Sequence, residues 1–244
     1  MLFPGTIAIL NFDNLDFDKK CVIEPSAIDK TIWEKFIELT LDDYSKLIAP
    51  KQIFICEGDR KGRKYQNFDA QIFSKIFEPH FPDFSFVSAG GSNEIADLNN
   101  PSIQMLQDVL TNTNIVRVTD RDDKSEEEIQ ELLKNGIKVL SRRHIESYLL
   151  DDELLVKLCV NTKQDAMVKE LLAAKQMRIQ NSIQRGNPKD DIKSASGEIY
   201  IDTKRILNLT QCGNTKDAFM RDTICPLITK DTKVFNDLYN EIFN

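Results

Sequence analysis

Two histidines and five scattered cysteines are all this chain offers of the side chains that usually hold zinc, and no two cysteines form a CxxC pair. A zinc ribbon or finger is therefore excluded. Cys21, Cys56, Cys159, Cys212 and Cys225 are odd in number and far apart, which suits reduced thiols better than a disulfide framework. GxxxxGK[ST] is missing, so ATP is not bound through a P-loop. No stretch approaches the roughly 18 apolar residues of a membrane span. The start has a short apolar patch at 6–10, broken by Asn11 and Asp13, with no basic leader and no small-residue cleavage site. A soluble cytoplasmic protein is expected. A basic excess is also lacking: 32 Lys and Arg stand against 39 Asp and Glu, a formal charge of −7, which excludes a basic nucleic-acid coat protein. An enzyme that meets nucleic acid through a local basic patch and bound metal is still allowed.

The composition present is that of an ordinary folded chain, with 244 residues, 41% hydrophobic and 29% charged. Residues 1–50 read as a small α/β extension, with apolar runs at 6–11 and 21–23 and a helix carrying Trp33, Phe36, Ile37, Tyr44, Leu47 and Ile48 at helical spacing. From residue 53, apolar runs at 53–56, 84–88, 115–119 and 137–140 alternate with helical stretches at 69–77, 102–110 and 125–135. Each run is nearly continuous in hydrophobicity, as in parallel strands covered by helices on both faces, so an α/β fold with a mostly parallel, Rossmann-like sheet is predicted. Ser125 with Glu128 three residues on forms a capping box, and Gly136 is a stop. Beyond Tyr148 the pattern turns helical: a long stretch at 165–183, a polar Gly/Pro loop at 185–197, and helices near 202–209, 215–225 and 233–243. The predicted organisation is an extension over 1–50, an α/β core over 51–160 and a helical region over 161–244.

Three acidic groups fall where this reading puts the carboxyl ends of strands, the rim at which open parallel sheets build their sites. They are Glu57, then Asp120 and Asp122 in Asp120-Arg121-Asp122-Asp123, then Glu146 in Arg142-Arg143-His144-Ile145-Glu146. Any one of them alone has an ordinary explanation: an Asp after a strand caps helices and shapes turns, and a first-turn Glu answers the helix dipole. Their joint placement is the signal. Acids brought close together repel unless a cation or proton compensates, and Mg²⁺ is commonly held by one or two carboxylates with several waters. Asp120 and Asp122, two apart, are placed to face one ion while Arg121 points away. His144 reads as an orienting or packing residue, since no second histidine lies at metal spacing.

Glu57-Gly58 after the first strand, Asp120-x-Asp122 after the third and the later Arg-x-x-Ile-Glu-x-Tyr-Leu segment ending at Leu149 resemble a Toprim domain, the metal-binding fold shared by topoisomerases, primases and nucleases. The match is most similar to Toprim nucleases of the overcoming-lysogenization-defect (OLD) type, which are fused to or paired with ABC-like ATPases in bacterial anti-phage systems. Phe86-Val87-Ser88-Ala89-Gly90-Gly91-Ser92-Asn93 is similar to the glycine turn after that family's second strand. The resemblance covers residues 50–160 and, less specifically, Asn214, Phe219 and Pro226-Leu227-Ile228. It implies a Mg²⁺- or Mn²⁺-dependent endonuclease acting on DNA or RNA. Glu57 would be metal ligand or general base, Asp120 and Asp122 metal ligands, and Glu146 a further ligand open to a second ion. Members often carry an Asp four residues after the motif Glu, where this chain has Lys61; Asp69 stands as its displaced counterpart after an insertion at 59–68. Such sites also use a lysine from the helical region, for which Lys193 and Lys204 are the candidates. The ATPase would lie elsewhere, in cis or in trans.

That insertion places Arg60, Lys61, Arg63, Lys64 and Tyr65 beside the site, and Arg142 and Arg143 lie near Glu146. Such cations suit a phosphate backbone and the tyrosine a stacked base, although basic loops are often solvated surface. A non-catalytic Toprim-like module that docks on and regulates an ATPase is the competing reading. A nucleotide-binding doubly wound domain is a third, weakened because Gly90-Gly91 lacks the G-x-G-x-x-G spacing. The choice between DNA and RNA, and whether the chain forms a homo-oligomer, stay open at this stage.

Overall fold

The computed structural model describes residues 9–10, 25–26, 50–58, 67–110 and 113–244, apart from the side chains of 9, 10, 25, 26, 108 and 109. The chain divides into two compact units, Met1–Ala49 and Pro50–Asn244. In the first, β1 (Ile9–Leu10) pairs antiparallel with β2 (Pro25–Ser26); the helix expected through Trp33 and Ile48 lies outside the described residues.

The second unit is an α/β fold around a four-stranded, all-parallel sheet. Its strands are β3 (Gln52–Cys56), β4 (Phe84–Ser88), β5 (Asn114–Thr119) and β6 (Ile137–Val139), in the order β4-β3-β5-β6. Helices separate the strands: α1 (Phe68–Phe77) after β3, the short α2 (Ser92–Ala96) and α3 (Pro101–Val109) after β4, and α4 (Glu126–Lys134) after β5. After β6 come α5 (Ile145–Leu149), α6 (Asp152–Asn161), α7 (Val168–Gln184), α8 (Ile192–Ile206), α9 (Lys216–Phe219) with a π-turn and a 3₁₀ turn through Leu227, and α10 (Lys233–Phe243).

Local chemistry sets several boundaries. Ser125 Oγ accepts from Glu128 N while Glu128 Oε2 accepts from Ser125 N, a reciprocal box that starts α4; Gly136, at φ +74°, ends it. The loop expected over 185–197 is shorter than the composition suggests. Asp191 accepts from both the amide and the hydroxyl of Ser194 and starts α8 at Ile192, so Gly197 sits inside a helix. Pro101 occupies the first turn of α3, where its missing N–H costs nothing.

The sheet is buried on both faces because its residues alternate between two apolar layers. Phe54, Cys56, Phe86 and Val118 belong to one large core that also takes in α1 and the helices after β6, through Phe73, Phe77, Tyr148, Leu155, Ile199, Phe219 and Leu238. Ile53, Ile55 and Ile137 point into the other layer with Ile95 of α2 and Ile103 of α3. Phe243 at the end of α10 packs edge-on against Phe54 at 5.1 Å and Phe77 at 4.9 Å. The helical region therefore shares the core of the sheet and contributes its own residues to the sheet's carboxyl rim. No helix among the described residues is long and apolar enough to cross a membrane.

Candidate active site

Parallel register builds the rim. β3 and β5 are neighbours, with Ile53 beside Ile115 and Ile55 beside Arg117, and continuing that register by two residues sets Glu57 beside Thr119. Glu57 Oε1 accepts from the Thr119 hydroxyl at 2.5 Å and from Asp120 N at 3.0 Å. The first and second acidic motifs thus meet by a direct hydrogen bond, and the Glu57 carboxylate is held in one orientation. Gly58 (φ +139°) and Gly90 (φ +111°) exchange backbone hydrogen bonds of 2.9 and 2.7 Å, which pin the glycine turn after β4 beside Glu57. A side chain at Gly90 would adopt a strained backbone and strike Glu94 Oε2 at 2.0 Å. Next to this turn, Ser92 Oγ lies 3.0 Å from Thr119 Oγ1.

Asp120 and Glu146 are buried, and each leaves one carboxylate oxygen, Asp120 Oδ1 and Glu146 Oε2, without a hydrogen-bond partner among the described residues. Burial pushes the Asp120 carboxyl well up, and the charges of Asp69, Glu57 and Glu146 add to the effect, with Lys193 opposing. Asp69, in the first turn of α1, is pushed up to about 8 by burial, then by Glu146, with Glu57 and Asp122 adding and Lys193 opposing. Burial works against the Lys193 ammonium, yet Glu146, Asp120, Asp69 and Asp122 outweigh it and raise its pKa. One lysine, from the start of α8, thus sits among carboxylates from the ends of β3 and β5 and from α1 and α5. Lys193 Nζ lies 3.8 Å from Glu146 Oε1.

Asp122 is set differently. Its backbone is left-handed (φ +47°) and its N–H donates to Arg143 O, which ties the β5 loop to the β6 loop. Its carboxylate lies 3.2 Å from His144 Nε2 and 3.5 Å from Lys124 Nζ. Lys124 also donates to Asp120 O at 2.7 Å and Ser92 Oγ at 2.9 Å. Burial, and then Lys193, lower the His144 pKa against the pull of Glu146, Asp122 and Asp191. The imidazole is therefore neutral at pH 7 and orients Asp122 instead of adding a charge.

The cations expected to meet nucleic acid fare unevenly. Arg60, Lys61, Arg63 and Lys64 lie outside the described residues. Arg142 is committed to structure: it pairs with Asp151 at 2.6 Å and Asp237 at 3.2 Å and lies over the Tyr148 ring at 4.6 Å. Arg143 pairs with Asp123 and Asp190. Lys204 lies over Tyr200, apart from the acids. Thr119, Ser92 and Lys124 went unnoticed in the sequence; the signal for Thr119 was its place as the last residue of the strand before Asp120.

Five carboxylates thus face two ammonium groups at the carboxyl rim of a parallel sheet. Among the described residues, no group of three His, Cys, Asp or Glu side chains is already disposed to hold an ion. The unpartnered, buried oxygens of Asp120 and Glu146 are nevertheless the hard donors that Mg²⁺ or Mn²⁺ takes, and the surplus negative charge is of the sign that such an ion relieves. The chemistry of these donors therefore fits a divalent cation, which Glu57, Asp120 and Glu146 would hold, with Asp69 and Asp122 at its margin. Fold and site together define the class: a parallel α/β protein with an acidic centre at its strand ends. No family model matches the chain, and no curated protein or solved structure is found similar to it.

Proposed function

We propose that this chain is a Toprim-like, Mg²⁺- or Mn²⁺-dependent endonuclease that hydrolyses phosphodiester bonds of DNA or RNA. The observation that carries the reading is the direct meeting of Glu57 with the Thr119–Asp120 strand end, joined by Asp69, Glu146 and Lys193. When bound, the ion polarises the scissile phosphate and eases the ionisation of water. The chain's own groups supply the rest. Thr119 and the Asp120 amide fix Glu57, so that its carboxylate approaches the reacting water in one orientation. Lys193 sits where an ammonium offsets charge, and against a pentacoordinate phosphate its role passes from neighbouring carboxylates to the phosphoryl oxygens. Lys124 keeps the Asp120 backbone and Asp122 in place. The motif resemblance extends the proposal to a cytoplasmic effector coupled to an ABC-like ATPase in cis or in trans, within an anti-phage system.

The test is cleavage of plasmid DNA, single-stranded DNA and RNA by purified protein in Mg²⁺ and in Mn²⁺. Glu57→Gln and the Asp120→Ala, Asp122→Ala pair should abolish cleavage and leave the fold intact. Retained cleavage in the double variant rejects the proposal. Absence of cleavage by the wild type, together with capture of an ATPase, would favour the regulatory module.

A further inference from the structure

Next to the acidic site lies a cavity of about 540 Å³ whose chemistry is the reverse. The two are linked along the chain: Ser147 on the cavity wall follows Glu146, and Ile192 on the wall precedes Lys193. Five Lys and Arg side chains line it against three Asp, in a chain whose formal charge is −7.

The way these cations are held is informative. The side chains of Lys175 and Arg143 are each only 9% exposed, whereas their partners on the cavity wall, Asp152 and Asp190, are 53% and 61% exposed. Lys175 Nζ lies 2.6 Å from Asp152 Oδ1, and one Arg143 guanidinium nitrogen lies 3.4 Å from Asp190 Oδ1, while its other terminal nitrogen pairs with Asp123, an 83% exposed carboxylate off the cavity wall. Packing fixes a buried cation and makes it costly to leave without an anion. A carboxylate that is more than half exposed loses little by turning into water. Each pair is therefore a fixed cation with an exchangeable counter-ion, and a phosphate oxygen can replace the carboxylate without stranding a charge. Arg142 differs, because Asp151 and Asp237, each only about a quarter exposed, hold it from both sides.

We propose that this cavity takes a backbone phosphate of the nucleic-acid strand, adjacent to the one presented to the acidic site. Lys175 and Arg143 exchange their surface carboxylates for phosphate oxygens. The inference rests on the nuclease reading and names where that substrate is gripped.

The experiment measures equilibrium binding of a labelled single-stranded oligonucleotide to the full chain across a salt series, with Ca²⁺ replacing Mg²⁺, and cleavage in Mg²⁺ separately. Lys175→Met should weaken binding about 10-fold at low salt and flatten the slope of log Kd against log salt by about 0.7. Asp152→Ala, at an exposed position, removes the competing carboxylate and should tighten binding. A merely structural ion pair does not produce that gain. Unchanged or weaker binding in Asp152→Ala, unchanged binding in Lys175→Met, or no binding by the wild type overturns the proposal. Competition by inorganic phosphate as strong as that by oligonucleotide overturns the assignment to a strand. If both shifts appear without cleavage, the cavity stands and the nuclease reading falls; if cleavage depends on Glu57 while neither variant shifts binding, the reverse holds.

Discussion

Concentrating carboxylates at one rim should cost this protein stability, and Asp69→Asn is the cleanest way to measure how much. The Asp69 carboxyl is raised from 3.8 to about 8 in the folded chain, first by burial and then by Glu146. The sign follows directly. Between about pH 4 and pH 8 the unfolded chain has lost a proton that the folded chain still holds, so stability declines as pH rises through that window. About 4 pH units at about 1.4 kcal/mol each set a ceiling of roughly 5–6 kcal/mol. Asp69 is half-buried, and screening by water lowers the realistic figure to about 1–2 kcal/mol. Asparagine has no proton to lose, so the variant should gain that amount at pH 8 and almost nothing at pH 4.5. For a unit of this size the gain is about 3–6 °C in Tm. Thermal melts in EDTA at half-unit pH steps measure it. Added Mg²⁺ should then stabilise the wild type more than the variant, because the ion relieves the same repulsion. A Tm difference that is zero, or that is equal at pH 4.5 and pH 8, would refute the reasoning.

Other consequences are as direct. Lys193→Met should reduce cleavage by roughly 10²-fold or more, whereas Lys204→Met should leave it unchanged; equal effects of the two on initial rates would contradict the assignment. Asp222, held down at about 2 chiefly by its hydrogen bond from Arg221, stabilises the fold above about pH 4 and loses that contribution as pH falls towards 2. Because the Asp222 side chain is 45% exposed, Asp222→Asn should cost under about 1 kcal/mol at pH 6 and nothing at pH 2, which acid-titrated urea melts would resolve. Tyr148 is fully buried, and its hydroxyl donates to Glu241 Oε2 at 2.5 Å and accepts from Arg142 N at 3.1 Å. Tyr148→Phe strands the Arg142 amide and leaves Glu241 Oε2 with Ser141 N alone, and should cost about 1–2 kcal/mol; a denaturant midpoint equal to that of the wild type would show that the Tyr148 hydroxyl does not help tie α10 to the β6 loop.

Much of the sheet could be read in advance because its strands are short, apolar and separated by helices with recognisable ends. Continuous runs such as Ile53-Phe54-Ile55-Cys56 are written by burial on both faces, and the Ser125–Glu128 box marks α4 without help from tertiary structure. The one-turn helix α2 escaped notice because five residues after a Gly-Gly turn carry too little periodicity. The start of α8 was hidden by its polar, glycine-containing sequence, although Asp191 and Ser194 held the capping signal. At the site, strand-end acids were visible because strand ends are local features. Lys193 could not be singled out, since only the packing of α8 against the core brings it to Glu146. The engagement of Arg142 was hidden for the same reason: its partners Tyr148, Asp151 and Asp237 come from α5, the cap of α6 and α10, and nothing in the basic pair itself says which arginine is already engaged.

The most direct measurement is Mn²⁺ binding to the purified protein, followed by electron paramagnetic resonance or calorimetry at pH 7.5. Wild type should bind one or two ions, and Asp120→Asn and Glu57→Gln should each weaken binding at least 10-fold, while Asp152→Ala leaves it unchanged. Wild-type protein that binds no Mn²⁺, or that binds it equally well after both rim carboxylates are neutralised, would contradict the account.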